Sequence, residues 1–175
     1  MELEQALRLR QSVRAYTDRE VAGEDVERIL QAAQLAPLAA GDDRTTHLTV
    51  VRDPALMEEI RAACMLTSRK TGQPVDALYG ARTMILVSAA DLSEDHIEYA
   101  NAGCLIENML VQAAALGLGA TYIWGCLRKL RANQAVIEKL RLPEGYELLS
   151  AVVVGYPAQP VRERTPREHV AVTRL

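Results

Sequence analysis

The feature that most constrains this chain is a run near its middle. Between residues 97 and 116, apolar residues occupy nearly every side of a helical projection, and Gly117 and Gly119 follow directly. A helix apolar all round belongs in an interior, with the other elements wrapped about it. Glycines just past a helix end are the usual stop, because they take the left-handed turn at no steric cost. Two faces of this helix carry their own patterns. Ala100, Gly103, Glu107, Leu110 and Ala114 recur at spacings of three and four, and their small members admit another helix at close range. That helix can come from the same chain or from a second copy. Asn101, Cys104 and Asn108 share another face. Polar groups on so apolar a helix need partners once buried, so they bond within the fold or point into a site.

The flanking segments supply the covering elements. Two continuous apolar runs, TMILVSA at 83–89 and ELLSAVVVG at 147–155, have the character of central strands. Residues 47–51 alternate as a half-buried strand, and 121–124 form a short one. The spacing predicts a first helix over 3–13. A second starts at Glu24 and Asp25, acids that suit a helix N-terminus. Its apolar stripe is Val26, Ile29, Leu30, Ala33 and Leu35, and Pro37 stops it. Asp53-Pro54 is an N-cap followed by proline at the first helical position, opening a helix to about residue 67. Residues 38–46 and 71–79 read as loops, 130–140 as a helix, and 157–175 as a Pro- and Arg-rich tail. About four strands alternate with five helices in 175 residues, the size of one domain with its own core.

Composition narrows the function. Lys plus Arg is 20 against 23 for Asp plus Glu, a net charge of −3, which disfavours a nucleic-acid partner. Cys64, Cys104 and Cys126 form neither a CxxC pair nor a metal-ligand spacing, so neither a disulfide framework nor a metal site is expected. The N-terminus has no basic and apolar leader and no segment reaches membrane-spanning length, so the expected location is the cytoplasm. There is no Phe, and the core must be built from Leu, Val, Ile, Ala and Met.

The sharpest chemical signal is Arg10-Gln11-Ser12-Val13-Arg14, two guanidiniums flanking a hydroxyl. Guanidinium forks match phosphate oxygens, and a hydroxyl adds a donor. The plainer reading is a solvated basic helix end beside the C-terminal dipole.

Five stretches in order resemble the nitroreductase family of flavin mononucleotide (FMN) oxidoreductases. RQSVRAY at 10–16 is similar to its R-x-S-x-R-x-[FY] signature. AAQLAPLAAG at 32–41 sits where the family has A-x-x-APSAxNxQPW. YGARTMILVSAAD at 79–91 resembles its strand after a Gly-Ala-Pro turn. NAGCLIENMLVQAAALGLGATYIWG at 101–125 resembles its central helix, GLG turn and flavin-facing strand. LRLPEGYELLSAVVVGYPA at 140–158 is close to its PEG[YF]…GYPA ending. The resemblance implies one α+β domain over 1–175, an α/β sandwich with a central mixed sheet of four to five strands flanked by helices. It also implies a homodimer with FMN at the subunit interface and a tail, 157–175, that wraps the partner.

The family's roles carry over by position. Arg10, Gln11, Ser12 and Arg14 would hold the flavin phosphate and ribityl chain. Pro37, Leu38 and Ala39 would contact the ring from the partner subunit. Ile123, Trp124 and Gly125 would face the flavin's N5 and O4 through backbone N–H groups, and Trp124 also suits a core or interface position. Arg162 or Arg164 would add a cation to the phosphate, with Arg164 aligning better, unless both are simply solvated. Arg69, Lys70 and Arg82 are the candidates for N1 and O2. The chain departs from the family in one stretch: Leu38 stands for Ser, Gly41 for Asn, Asp43-Arg44-Thr45-Thr46 lies near the expected Gln-Pro-Trp, and Asp42 and Asp43 put negative charge there. The implied activity is hydride transfer from NAD(P)H to the flavin, then reduction of a small acceptor such as a nitroaromatic or quinone, by a ping-pong scheme. No side-chain acid or base is required. A GLG at a helix end is the wrong context for a dinucleotide fingerprint, which favours FMN over FAD. The altered loop keeps two further readings open, a non-catalytic flavin- or ligand-binding protein and a dimeric scaffold without cofactor.

Overall fold

The two apolar runs become neighbouring strands, and the rest of the molecule is layered on them. A computed structural model describes residues 1–41, 43–166 and 170–175. Asp42 of the altered loop and residues 167–169 of the tail lie outside the described residues. In chain order the elements are α1 (Leu3–Leu9), α2 (Gly23–Gln34), a 3-10 turn (Ala39–Gly41), β1 (Thr46–Val51), α3 (Pro54–Ala63), β2 (Leu66–Thr67) and β3 (Pro74–Val75). They continue with β4 (Thr83–Ala89), α4 (Ile97–Ala115), β5 (Gly119–Ile123), α5 (Leu127–Arg131), α6 (Gln134–Lys139) and β6 (Glu147–Gly155). The main sheet has the order β1-β4-β6-β5, and all its pairings are antiparallel. Among the described residues a parallel component enters as a single bridge, Ser12 to Ala120 on the outer side of β5.

Both faces of the sheet are covered, so β4 is buried along its whole length. The period of two sends Ile85, Val87, Val152 and Val154 to one face, where they meet α2 and α4. Met84, Leu86, Ala151 and Val153 go to the other face, against α3, α5 and α6. Each fully buried Leu, Val or Ile contributes roughly 1.5–3 kcal/mol relative to exposure, so these two aliphatic layers supply most of the stabilising area. The expected caps form at α3, where the Asp53 carboxylate accepts from Leu56 N–H at 2.8 Å with Pro54 at the first position.

The structure differs from the sequence reading at several ends. The first helix stops at Leu9 rather than Val13, because Val13 N–H leaves the helical ladder for the Ala120 carbonyl at 3.1 Å. α2 ends at Gln34, and Leu35 turns outward, 82% exposed, instead of completing the apolar stripe. α3 ends at Ala63, since residues 66–67 pair with 74–75 in a small hairpin where a helix and then a loop were expected. The 130–140 helix is two helices, because the Asn133 side chain accepts from Val136 N–H and starts a new turn. Nor is the long helix enclosed all round: Ala100, Cys104 and Glu107 remain exposed while Leu110 and Ala114 are buried.

The two GLG glycines do different work. Gly117, at φ 74°, closes α4: its N–H bonds the Ala114 carbonyl and Leu118 N–H bonds that of Ala113. These are the paired bonds of a Schellman stop. Gly119 is not a cap. It opens β5, and a Cβ there would lie 2.9 Å from three atoms of the Val13 side chain. Gly155 is equally confined, by the Tyr16 ring at 2.8 Å. The segment 12–16 thus lies down on the sheet edge only because these two positions lack side chains. Replacing Gly119 by Ala should lower the unfolding free energy by about 1–3 kcal/mol through overpacking. Val13→Ala in the same chain should recover part of that loss. Urea midpoints at unchanged m-value measure it, and a Gly119→Ala chain as stable as the parent would refute the close contact.

Candidate functional site

Ending α1 at Leu9 changes what residues 10–14 can do. In a continued helix, Ser12 would lie opposite Arg10 and Arg14. In an extended segment alternate residues share a side, a period that sets Arg10, Ser12 and Arg14 apart from Gln11 and Val13. Val13 packs on Gly119, and the Gln11 side-chain amide donates to the Arg162 carbonyl at 2.9 Å. Ser12 and Arg14 are exposed. Tyr16 anchors the segment's far end through its hydroxyl, 3.0 Å from Thr121 Oγ1, and burial pushes its ionisation upward.

The tail runs alongside. Ala158 N–H donates to the Ala15 carbonyl at 2.9 Å and Arg164 N–H to the Arg8 carbonyl at 3.0 Å. Residues 158–164 therefore lie antiparallel to residues 15–8 of the same chain. Arg10 and Arg164 line one cavity of about 510 Å³ together with Arg8 and Glu4. Ser12 and Arg14 line a neighbouring one of about 300 Å³ with Gln159 and Pro160. Arg162 is exposed and contributes its carbonyl to this seam. Of the two tail arginines, Arg164 is the one whose side chain sits with Arg10.

One face of α4 links this basic seam to the end of β5. Tyr99, Gly103 and Glu107 follow at i, i+4 and i+8, spanning about 12 Å of helix. At one end Glu107 Oε1 lies 3.4 Å from Arg10 Nε. At the other, Tyr99 meets the Trp124 ring edge-on at 5.6 Å, and Trp124 is 50% exposed. Between them a Cβ at Gly103 would meet nothing within 4 Å, and the same is true of Gly125. Ile123 is buried beneath, and Tyr122 tilts against Trp124 at 6.4 Å. The arrangement offers guanidinium and hydroxyl donors at one end, an open floor, and exposed aromatic rings with backbone at the other. Such a donor set fits a molecule with a phosphate head, a short chain and a flat ring.

The loop after α2 is elsewhere. Ala39 N–H donates to Asn101 Oδ1 at 3.0 Å, and Asn108 Nδ2 donates to the Ala32 carbonyl at 2.9 Å. Both asparagines of the polar face thus serve structure. Asn101 and Glu107 are six residues apart, about 120° around the helix, so Ala39 and Arg10 flank different sides of α4. Pro37 is exposed, and Leu38 is half-buried against the first core. Of the candidates for the flavin's N1 and O2, Arg82 is engaged with the Asp18 carbonyl at 3.3 Å and with Glu20 at 3.8 Å. Arg69 and Lys70 sit on the exposed hairpin turn.

Sequence reasoning missed the pairing of Arg10 with Glu107, the contact of Tyr99 with Trp124, and Tyr79, whose ring centre lies 5.9 Å from the Arg14 guanidinium. An acid in the middle of a helix otherwise so apolar was a signal for Glu107. Nothing local marks Tyr79.

The Nitroreductase family model matches residues 7–156. A protein of Archaeoglobus fulgidus with the provisional name NADH dehydrogenase/NAD(P)H nitroreductase is 32% identical over 152 residues, 85% of this chain and 81% of that protein. FMN reductase [NAD(P)H] of Bacillus subtilis is 30% identical over 174 residues, 91% of this chain and 68% of that one. A nitroreductase of Desulfitobacterium hafniense, solved with bound FMN, superposes with a TM-score of 0.84 at 20% identity, covering 100% of both chains. The chain belongs to the nitroreductase family.

Cys126 follows Gly125 directly and is buried with Cys64, at 2% and 0% exposure. A hydrogen bond between the two thiols holds Cys64 above and Cys126 below the ordinary thiol range. Cys104 is exposed on α4. In native protein at mildly alkaline pH, an aromatic disulfide reagent should therefore titrate no more than one thiol per chain, and all three after denaturation. Two fast thiols in the native state would contradict this burial.

Proposed function

We propose that this chain is a homodimeric FMN-dependent oxidoreductase of the cytoplasm. It takes reducing equivalents from NAD(P)H and passes them to a small electron acceptor, a nitroaromatic, quinone or similar molecule, in a ping-pong cycle. The observation that carries this reading is the α4 face that joins the Arg10 seam to the Trp124 end of β5. The names of the relatives support the same chemistry. FMN, when bound, supplies the redox step, and the protein positions it. Arg10, Ser12 and Arg14 bind the phosphate and ribityl chain, with Gln11 fixing the tail beside them. Arg164 adds a cation to the same head group, since its side chain lines the cavity with Arg10. Backbone N–H groups at Ile123, Trp124 and Gly125 serve the polar edge of the ring, and Trp124 shields it from water. The cytoplasm suits three cysteines that are all unpaired.

In this reading Pro37, Leu38 and Ala39 come from the partner. Within one chain they flank a different side of α4 from Arg10, so a second copy is needed to bring both to one flavin. The domain spans 1–175, and its tail, 157–175, reaches the partner from the seam it forms with residues 8–15. Ala100 and Cys104, exposed on α4, and the half-buried Gly103 beside them form the surface the partner covers. Its small residues allow close approach, and assemblies of this obligate kind bury more than about 2,000 Å².

Purified protein should be yellow, and mass spectrometry of the released chromophore should give FMN; FAD as the sole species would defeat the cofactor assignment. Arg14→Ala should weaken FMN binding by about 1.5–3 kcal/mol, the worth of a hydrogen bond to a charged group, with the fold intact. The single Trp124 provides a fluorescence readout for that titration. Flavin-loaded protein should oxidise NAD(P)H in the presence of a nitroarene or quinone. Tight FMN binding without turnover would favour a non-catalytic flavin protein, and a chain indifferent to FMN would favour a scaffold.

Gly103→Leu separates assembly from folding. Inside one subunit a Cβ at this position meets nothing within 4 Å, so the chain should fold. Against a second α4 it should force the helices apart, giving monomer and loss of flavin together. Sedimentation equilibrium checks this. A parent monomer near 19 kDa that retains its flavin would sink the shared site.

A further inference from the structure

Tyr79 occupies a backbone conformation that tyrosine avoids, with φ at 57°. A bulky residue in the left-handed region costs on the order of 1–2 kcal/mol. Such strain persists only where the surroundings over-determine the backbone, and here they do. Asp76 accepts from Leu78 N–H at 2.8 Å and from Gly80 N–H at 2.7 Å. Arg61 locks this turn from behind, pairing with Asp76 and donating to the Ala81 carbonyl at 3.0 Å. Ala77, Leu78 and Ala81 are buried in the second core, so the turn cannot drift. None of these bonds uses the Tyr79 side chain. Glycine would satisfy the turn at lower cost, as it does at the next position, where Gly80 has φ at 82°. What tyrosine adds is its ring.

That ring is half-buried against the second core and carries Arg14 above it, the guanidinium carbon 5.9 Å from its centre. Arg14 is otherwise an exposed side chain, its Nη1 at a long 3.5 Å from the Ser12 carbonyl. An arginine free in solvent loses about 2 kcal/mol of rotamer entropy when a ligand fixes it. A rigid aromatic face beneath it removes part of that loss in advance, and its π-face attracts the cation without consuming any N–H.

We propose that Tyr79 is a positioning residue for Arg14, a strained platform that presets the guanidinium for FMN. The inference rests on the reading of Arg14 as an FMN ligand. It assigns the ring's contribution to affinity and the turn's strain to holding that ring in place. Tyr79→Phe keeps the platform, while Tyr79→Gly removes it and relieves the backbone.

The test measures FMN affinity by titration in five chains: parent, Tyr79→Phe, Tyr79→Gly, Arg14→Ala, and Tyr79→Gly combined with Arg14→Ala. Tyr79→Phe should bind as the parent does. Tyr79→Gly should bind about two- to fivefold more weakly, the range set by a cation–π contact at an exposed site. In the Arg14→Ala background the same change should have no effect, a coupling that loss of core packing alone would not produce. Relaxation of the Arg14 Nε–H group by NMR, without flavin, should show faster motion in Tyr79→Gly than in the parent. A parent chain that fails to bind FMN would overturn the functional reading itself. A parent that binds it, with equal affinity and equal Arg14 motion in Tyr79→Gly, would overturn the platform alone.

Discussion

Everything distinctive in this molecule depends on a steric allowance at one sheet edge. β5 is an outer strand, and an uncovered outer strand presents unpaired N–H and C=O groups. Residues 12–16 cover it, and they come close enough only because Gly119 and Gly155 present no side chain to Val13 and Tyr16. That approach draws Val13 N–H out of the helix and ends α1 at Leu9. It also leaves Ser12 and Arg14 exposed along that edge. The tail then bonds to the outside of the same segment, bringing Arg164 to Arg10. Packing of two glycines and formation of a basic seam are thus one event.

The long helix sets the second constraint. α4 is buried along the flanks that meet α2 and the sheet, but open from Ala100 to Glu107. The mean composition of the helix is that of an interior element, and its exposed stretch is small and only weakly polar. Glu107 is the exception, and it stands against Arg10 rather than in free solvent. A half-exposed ion pair of this kind stabilises little, on the order of 0–1 kcal/mol. Its structural consequence is larger than its energy. It ties the Arg10 segment to one end of the α4 face and leaves the other end to the Tyr99 and Trp124 rings.

Much of this was legible before any coordinates. The two central strands have the same ends in sequence and structure, Thr83–Ala89 and Glu147–Gly155, because a strand buried on both faces is written as an unbroken apolar run. α4 was legible for the same reason. The Arg10, Ser12 and Arg14 pattern was legible, but the geometry of its segment was not. Helical spacing extends naturally to Val13, and only a tertiary bond from Ala120 shows where it stops. The 66–75 hairpin and the break at Asn133 share that cause: short elements whose ends are decided by partners distant in sequence or by one side-chain cap. Tyr79 was illegible in principle, since a left-handed tyrosine looks like any other until the turn around it is built.

The placement of aromatic side chains ties core and site together. The chain has six tyrosines, one tryptophan and no phenylalanine. None of the seven rings is fully buried. The fully buried side chains are mostly Leu, Ile, Val, Met and Ala, joined by Cys64, Ser88 and Ser150, so the interior has no need of an aromatic. Instead each ring sits at a seam with a partner: Tyr16 on Thr121, Tyr146 on the Arg44 carbonyl, Tyr156 under Arg19 at 3.8 Å, Tyr79 under Arg14, and Tyr99 and Tyr122 on Trp124. A ring with a polar tip suits a boundary where one side is apolar and the other wet. Phenylalanine lacks that tip and would favour the interior. An aliphatic core with tyrosine confined to the rim therefore concentrates ring faces and guanidiniums along the same edges. Two of those edges, at Arg14 and at Trp124, are the two ends of the candidate site.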